Sequence, residues 1–287
     1  MFFAISPRRW LKLLAAAAII CGVIILISAM KKTAPASAQN QPISVPIIMY
    51  HSVCANEALA GKYVLPTRVF RDDMIYLKEH GYETIFVSQL AEYVLEGAPL
   101  PDKPVIVTLD DGTLNALTDV LPVLRELDMK AVVSVVGTFS EKYSQLSDAN
   151  PDYAYLSWED IRALHDSGLV EIGNHSYDMH SLSTRRGCMK APGEGDASYR
   201  RALENDLEKL QSALGENSGV TPEVFTYPYG LVSKPSLEVV KAMGFKAALT
   251  CEERVNRITG DPEDLYSLGR FNRPAGVSTQ NFMARLS

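Results

Sequence analysis

Seven apolar runs along the chain have the length and composition of buried strands. Most are rich in Val, Ile or aromatic residues, and polar or turn-forming residues bound them. The runs are VPIIMY (45–50), YETIFV (82–87), PVIVTL (104–109), KAVVSVV (130–136), VEIG (170–173), EVFTY (223–227) and KAALT (246–250). Because patterns of helical period lie between most of them, they predict an α/β fold with a parallel sheet.

The helical patterns begin at residues that can cap a helix and end at glycines. The predicted helices run from Thr67 to about Gly81, from Ser88 to Gly97, from Ser157 to Gly168 and from Ser233 to Gly244. A longer amphipathic helix is predicted over roughly Ser198–Leu214, before the sixth strand. Seven strands separated by helices in about 240 residues favour one barrel-like α/β domain. A doubly wound open sheet is the alternative.

The N-terminal region has the pattern of a membrane-targeting segment. An uncharged stretch of 18 residues, Leu13–Met30, follows three bases and is long enough for a transmembrane helix. The alternative is a signal peptide cleaved after Ala38. We therefore expect a cytoplasmic end and one hydrophobic helix over 1–32, a linker over 33–44 and a domain over 45–287. Both interpretations place that domain outside the cytoplasm, either anchored to the membrane by a single span or secreted.

Charge and cysteine content exclude two classes of protein. With 28 basic and 34 acidic residues, the chain has a formal charge of -6, which argues against a nucleic-acid partner. Four cysteines without dense spacing exclude a disulfide scaffold. Cys54, Cys188 and Cys251 lie in the exported part, so at most one internal disulfide can form there, and three buried thiols are the alternative.

Polar residues of types used in catalysis follow four of the predicted strands. They are His51, Asp110 with Asp111, His175, and Tyr229. In a parallel α/β barrel the carboxyl ends of the strands form the face on which active sites are built. Structural explanations compete with this one, since paired aspartates after a strand often cap a helix and single histidines are often structural.

The aspartate pair and two histidines together suit a metal. Adjacent carboxylates in a partly buried mouth need a cation to compensate them. His175, His180 and one aspartate would form a His-His-carboxylate set with open coordination positions, and the other aspartate could take a proton from water. Because the histidines are five positions apart, they can chelate only if a loop begins after His175.

Three motifs in this order resemble the polysaccharide deacetylase (NodB-homology) family: VTLDDG (107–112), HSYDMH (175–180) and TYPYG (226–230), after an opening MYH (49–51). The resemblance extends over nearly all of residues 45–275. It implies a distorted (β/α) barrel of about seven parallel strands. It also implies metal ligands at Asp111, His175 and His180, a catalytic base at Asp110, and at Tyr229 a backbone N–H that helps to hold the acetyl carbonyl oxygen.

The chain departs from the usual family pattern at three places. Leu109 replaces a Phe, and four residues instead of three separate the two histidines. The longer spacing is similar to the branch that deacetylates poly-N-acetylglucosamine, whose catalytic-acid histidine lies near the start of the domain. His51 matches that position, and no Leu-x-His sequence follows His180.

The third departure concerns the residue that orients the base. Thr226 replaces the frequent Arg of the third motif. Another cation must then orient Asp110, and the candidates are Arg270 and Arg273 in LGRFNRP, although a structural salt bridge is the alternative for either one.

The resemblance implies a hydrolase that removes acetyl groups from an N-acetylglucosamine-containing polysaccharide of the cell envelope, either peptidoglycan or poly-N-acetylglucosamine. A divalent ion is expected, most simply zinc, although Co, Ni or Mn also suit the ligands. The expected partners are the acetylated glycan and, through the N-terminal helix, the membrane, and we expect a monomer. An O-acetyl esterase and a catalytically inactive carbohydrate-binding relative are the alternatives.

Overall fold

A sheet of parallel strands forms the centre of the domain. The computed structural model describes residues 41–147 and 149–286, and one compact unit spans Pro42–Ser287. The strands are β1 Ile43–Val45, β2 Ile47–Tyr50, β3 Ser52–Cys54, β4 Val64–Pro66, β5 Glu83–Thr84, β6 Pro104–Leu109, β7 Ala131–Val135, β8 Val170–Asn174, β9 Val224–Thr226, β10 Ala247–Leu249, β11 Asn256–Ile258 and β12 Phe271–Asn272. The helices are α1 Thr67–Glu79, α2 Val87–Glu96, α3 Leu121–Leu127, α4 Gly137–Tyr143, α5 Trp158–Asp166, α6 Asp196–Ser218, α7 Lys234–Ala242 and α8 Thr279–Met283.

The order of the strands identifies the type of sheet. Parallel strands lie in the order β10-β9-β8-β7-β6-β2-β12, and each pairs in parallel with its neighbours. From β2 to β10 the order follows the chain without reversal, as in a barrel, whereas a doubly wound sheet reverses direction. The predicted α/β fold with about seven parallel strands is therefore confirmed as a curled half-barrel.

One predicted strand is mostly wrong, and one strand of the central parallel sheet was not predicted. Of the run 82–87 only Glu83–Thr84 is extended, beside the start of β6, and Val87 already begins α2. The buried side chains of Ile85 and Val87 explain the apolar run, because they pack into the core without a strand. The seventh parallel strand is instead β12, whose two residues are too few to give a periodic signal.

Two of the predicted N-caps are confirmed and two are wrong. Ser157 and Ser233 cap α5 and α7 through their side chains. Thr67 and Ser88 lie inside the first turns of α1 and α2. At α2 the reason is tertiary: the carboxylate of Glu171 on β8 accepts hydrogen bonds from the first two amides of the helix, at 2.8 and 3.2 Å. A remote acid therefore replaces the local cap.

Side chains on one face of the sheet change from apolar to polar toward the carboxyl ends of the strands. The first layer shares one apolar cluster and includes Ile47, Ile106, Val132 and Val224. Because side chains alternate along a strand, the same face carries the residues two positions later, which are Met49, Thr108, Ser134 and Thr226. Two positions beyond these come His51 and Asp110, which line a cavity. This face of the sheet is therefore apolar near the start of the strands and polar at their carboxyl ends, where the cavity opens.

Gly173 on β8 lets two hydroxyls meet across its strand. Ser134 Oγ on β7 and Thr226 Oγ1 on β9 are 2.7 Å apart. A Cβ at Gly173 would lie 2.7 Å from Ser134 Oγ, which is closer than real Cβ contacts. The packing of Ser134 and Thr226 therefore requires a residue without a side chain at position 173.

The predictions about the N-terminus and the cysteines have different outcomes. The predicted helix over Leu13–Met30 lies outside the described residues. Among residues 41–147 and 149–286, no helix combines the length and apolarity that crossing a membrane requires. Cys54, Cys188 and Cys251 are free thiols, and the expectation that they are buried holds for Cys54 and Cys188, whereas Cys251 is half-buried.

Candidate metal centre and active site

Three predicted ligands converge at the carboxyl ends of β6 and β8. One ligand atom each from Asp111, His175 and His180 lies within 4.8 Å of the others. Asp111 Oδ1 is 3.1 Å from His180 Nε2 and 3.5 Å from His175 Nε2. Although it is buried, this oxygen accepts no hydrogen bond of acceptable geometry from the residues that the structure describes. A cation between the three atoms would satisfy all of them, so the residues fit a divalent metal.

The tautomer of His175 agrees with such a role. Its Nδ1 lies 2.7 Å from the backbone carbonyl oxygen of Thr226. Since a carbonyl can only accept, Nδ1 carries a proton, and in the neutral ring the Nε2 lone pair faces Asp111. Metal-binding histidines are commonly oriented in this way by a hydrogen bond from the second ring nitrogen. Thr226, which departs from the family motif, thus supplies an orienting carbonyl through its backbone.

Three residues in or next to this site have a left-handed backbone conformation. Asp111, Ser176 and Tyr229 have φ values of 70°, 72° and 60°. Such conformations cost a non-glycine residue roughly 1–3 kcal/mol and cluster at functional sites. The turn at Ser176 starts a loop directly after His175, which is the condition that the spacing of the two histidines required.

Arg270 supplies the cation that the sequence left undecided. Its guanidinium donates two hydrogen bonds to Asp110, Nη1 to Oδ1 at 2.6 Å and Nη2 to Oδ2 at 2.8 Å, and both side chains are buried. Arg273 does not contact Asp110, because it pairs in the same bidentate way with the buried Asp73 at 2.8 and 3.0 Å. Of the two candidates, Arg270 therefore lies at the site and Arg273 stabilises the packing of α1.

His51 and Tyr229 lie on the wall of the same cavity. It measures about 480 Å³ and is lined by Met49, His51, Lys62, Tyr63, Asp110, Asp111, His175, His180, Tyr229, Cys251, Glu253 and Asn272. The ring of His51 packs against Tyr63 with centroids 4.6 Å apart, and its buried Nδ1 has no hydrogen-bond partner among the described residues. The Tyr229 ring lies 4.6 Å from that of His180. The structure thus brings every predicted catalytic residue together with the predicted metal ligands.

The electrostatics of the site favour positive charge beside the aspartates. Burial alone would raise the pKa of Asp111, but the imidazoles of His175 and His180 hold it well below its ordinary value. Burial would likewise lower the pKa of His175, but Asp111 and Asp110 raise it. For Asp110, burial is outweighed by Arg270, so its pKa is lowered. The pKa of His51 is lowered because burial outweighs the attraction of the two aspartates.

Several cavity residues were not predicted from the sequence. Lys62 and Tyr63 precede β4, Glu253 follows β10 and Asn272 lies on β12. None of them stands in a motif, and each comes from a loop or a strand of two or three residues. Only their positions in the folded chain indicate a role.

Comparison with known proteins supports the assignment made from this geometry. A sequence profile described as polysaccharide deacetylase matches residues 97–248, just over half of the chain. This chain belongs to the polysaccharide deacetylase family. The matched segment contains the metal ligands, Asp110 and Tyr229, whereas His51 and Arg270 lie outside it.

Individual relatives indicate a branch of the family. A poly-beta-1,6-N-acetyl-D-glucosamine N-deacetylase of Escherichia coli K12 is 28% identical over 225 residues, 71% of this chain and 33% of the relative. The chain therefore spans about a third of the length of that relative. A Staphylococcus aureus protein of the same name is 24% identical over 207 residues, 71% of this chain and 66% of the relative. The solved structure of IcaB from Ammonifex degensii superposes with a TM-score of 0.69 and 25% identity, covering 86% of this chain and 98% of that chain.

Proposed function

We propose that this protein hydrolyses the acetamido groups of a poly-N-acetylglucosamine-type polysaccharide of the cell envelope and releases acetate. The observation that carries the proposal is the convergence of Asp111, His175 and His180 beside Asp110 and His51 in one cavity. The names of the E. coli and S. aureus relatives favour poly-N-acetylglucosamine over peptidoglycan as the substrate. The intact ligand set argues against the alternative of an inactive carbohydrate-binding relative.

Each residue has a separate role in this proposal. A bound divalent ion would lower the pKa of water and polarise the acetyl carbonyl. Asp110, held by the fork of Arg270, accepts the proton of the attacking water. His51 donates a proton to the departing nitrogen, and the backbone N–H of Tyr229 stabilises the carbonyl oxygen as it gains charge.

The cavity has the size and walls for one acetylated sugar. Its volume of about 480 Å³ is in the usual range for small-ligand sites. Tyr63 and Tyr229 are 50% and 38% exposed at its edge, so their rings are free to pack against the apolar face of a sugar. We propose zinc as the ion, since two imidazoles and a carboxylate leave a tetrahedral site with an open position.

We further propose that the domain acts outside the cytoplasm. The support is the sequence alone: the apolar stretch Leu13–Met30 follows three bases, and a possible cleavage site ends at Ala38. An envelope polysaccharide would be within reach of a domain that is anchored at, or released from, the membrane.

The decisive experiment compares the wild-type protein with the Asp110→Asn variant. Metal content is measured first, and acetate release is then followed by mass spectrometry on oligomers of poly-β-1,6-N-acetylglucosamine, chitin and peptidoglycan fragments. We expect the variant to bind metal as the wild type does and to lose about 10²–10⁴-fold in kcat/KM, because it lacks the base. Chelation should abolish the activity of the wild type, and added Zn²⁺ or Co²⁺ should restore it.

Three results would contradict the proposal. Full activity of Asp110→Asn would exclude Asp110 as the base. Acetate release from an O-acetylated glycan but from none of the N-acetylated oligomers would favour the esterase. Binding of oligomers by the metal-loaded wild type without any acetate release would favour the inactive relative.

A further inference from the structure

The loop between the two metal-binding histidines is held by groups outside the site. It consists of residues 176–179, and its four backbone N–H groups all donate to side-chain oxygens. Ser176 N donates to Asn174 Oδ1 at 2.9 Å, and Met179 N donates to Ser176 Oγ at 3.2 Å. These two acceptors are local, on β8 and in the loop itself.

The two central amides are bound by one remote carboxylate. Tyr177 N donates to Asp206 Oδ1 at 2.8 Å, and Asp178 N donates to Asp206 Oδ2 at 2.9 Å. Asp206 lies in the middle of α6, a helix of 23 residues, so its position is set by a long element that packs elsewhere. A carboxylate that accepts hydrogen bonds from two consecutive backbone amides fixes both the position and the direction of the peptide group between them.

The opposite side of the same loop is bound by the start of α4. Gly137 N donates to Ser176 O at 3.1 Å, and Thr138 N donates to Tyr177 O at 2.9 Å. Gly137 also allows close approach, since a Cβ there would lie 2.3 Å from the Tyr177 ring. The loop is therefore clamped between α4 and α6, and this clamp holds Ser176 in its left-handed conformation, with φ of 72°.

The two histidines depend on this clamp to different degrees. His175 is the residue after β8, is buried, and has its Nδ1 fixed by the Thr226 carbonyl. His180 follows the loop, and within the described part of the chain its Nδ1 has only a long contact of 3.4 Å with the Tyr229 hydroxyl. The position of His180 relative to Asp111 therefore follows the position of the loop.

We propose that Asp206 is a positioning residue for the metal centre, which places His180 for coordination by holding the amides of Tyr177 and Asp178. Its carboxylate binds loop amides and not the ligand side chains, and Asp206 is not among the residues that line the site cavity. The inference rests on the proposed function, because it takes Asp111, His175 and His180 as a metal site. It adds a residue on α6, outside every sequence motif, to the groups on which metal affinity depends.

The test measures Co²⁺ affinity and the visible absorption of bound Co²⁺ in the full-length protein, without substrate. In Asp206→Ala the amides of Tyr177 and Asp178 lose their acceptor oxygens. We expect the Kd for Co²⁺ to rise about 10–100-fold, the usual effect of removing a group that orients a metal ligand. The absorption of the remaining bound Co²⁺ should change, because His180 is displaced. Asp206→Asn keeps the shape and one acceptor oxygen, so its affinity should lie between those of the wild type and Asp206→Ala.

Glu208→Gln is the matched control. Glu208 lies on the same helix and is exposed, so the variant removes a carboxylate charge without loosening the loop, and its Co²⁺ affinity should stay within about twofold of the wild type. Thermal unfolding in chelator reports the fold of each variant separately. If Asp206→Ala does not fold, the comparison of Asp206→Asn with the wild type is used as the test.

The outcomes separate this inference from the proposed function. Folded Asp206 variants with wild-type Co²⁺ affinity and absorption would overturn the inference alone, even if their unfolding temperatures fall. A wild-type protein that binds no Co²⁺ would overturn the metal-dependent function and the inference with it. Weakened binding and altered absorption in the Asp206 variants, with an unchanged Glu208→Gln protein, would support the inference.

Discussion

Replacing Arg270 tests whether a buried charge pair supports the active site. In Arg270→Met the carboxylate of Asp110 stays buried but loses two hydrogen bonds, at 2.6 and 2.8 Å. With charge centres about 4 Å apart and an effective dielectric constant of about 20, their attraction is about 4 kcal/mol. Arg270 also donates to Thr250 O and Thr108 Oγ1, and both acceptors lose a partner. We expect a loss of about 3–5 kcal/mol in the free energy of unfolding, the usual cost of leaving a buried charge unpaired.

The assay is urea unfolding in chelator at neutral pH, so that bound metal does not add to stability. Asp110→Asn and the double variant complete a mutant cycle. We expect the double variant to lose about 2–3 kcal/mol less than the sum of the single losses, since it leaves neither charge unpaired. Arg200→Met is the control, because Arg200 pairs with Glu238 on the surface. This variant should lose less than about 1 kcal/mol in the free energy of unfolding. A loss in Arg270→Met no larger than that of the control, or additive losses in the cycle, would refute the reasoning.

Two further changes test the packing below the mouth and the acid that caps α2. Gly173→Ala should lower the free energy of unfolding by about 1–3 kcal/mol, because the new Cβ lies 2.7 Å from Ser134 Oγ and must push it away from Thr226. Chemical denaturation measures this loss, and an unchanged midpoint would show that the strands accommodate the added methyl group. Burial raises the pKa of Glu171 to about 7, above the ordinary value of about 4.5, so the folded state holds this proton more tightly than the unfolded state does. The stability of the wild type relative to Glu171→Gln should therefore be greatest below about pH 4.5 and fall as the pH rises through about 7. The same dependence of stability on pH in both proteins over that range would contradict the shift.

Local sequence determined most of the parallel strands and most of the site. The apolar runs that became β6, β7 and β8 are buried through their whole length apart from Glu171, so composition alone indicates strands. Asp110, Asp111 and His175 follow directly after two of these strands, and parallel strands bring their carboxyl ends to one face. Chain order and strand direction were therefore enough to place these side chains close together.

Only the tertiary structure decided which distant residues complete the site. Arg270 and Arg273 are three positions apart in one short segment, yet one pairs with Asp110 and the other with Asp73, because the fold places a different acid opposite each. The cap of α2 and the clamp on the histidine loop come in the same way from acids on other elements, Glu171 and Asp206. Local pattern predicts helix and strand because backbone hydrogen bonds connect near neighbours, whereas the partner of a buried charge is set by packing between segments far apart in the chain.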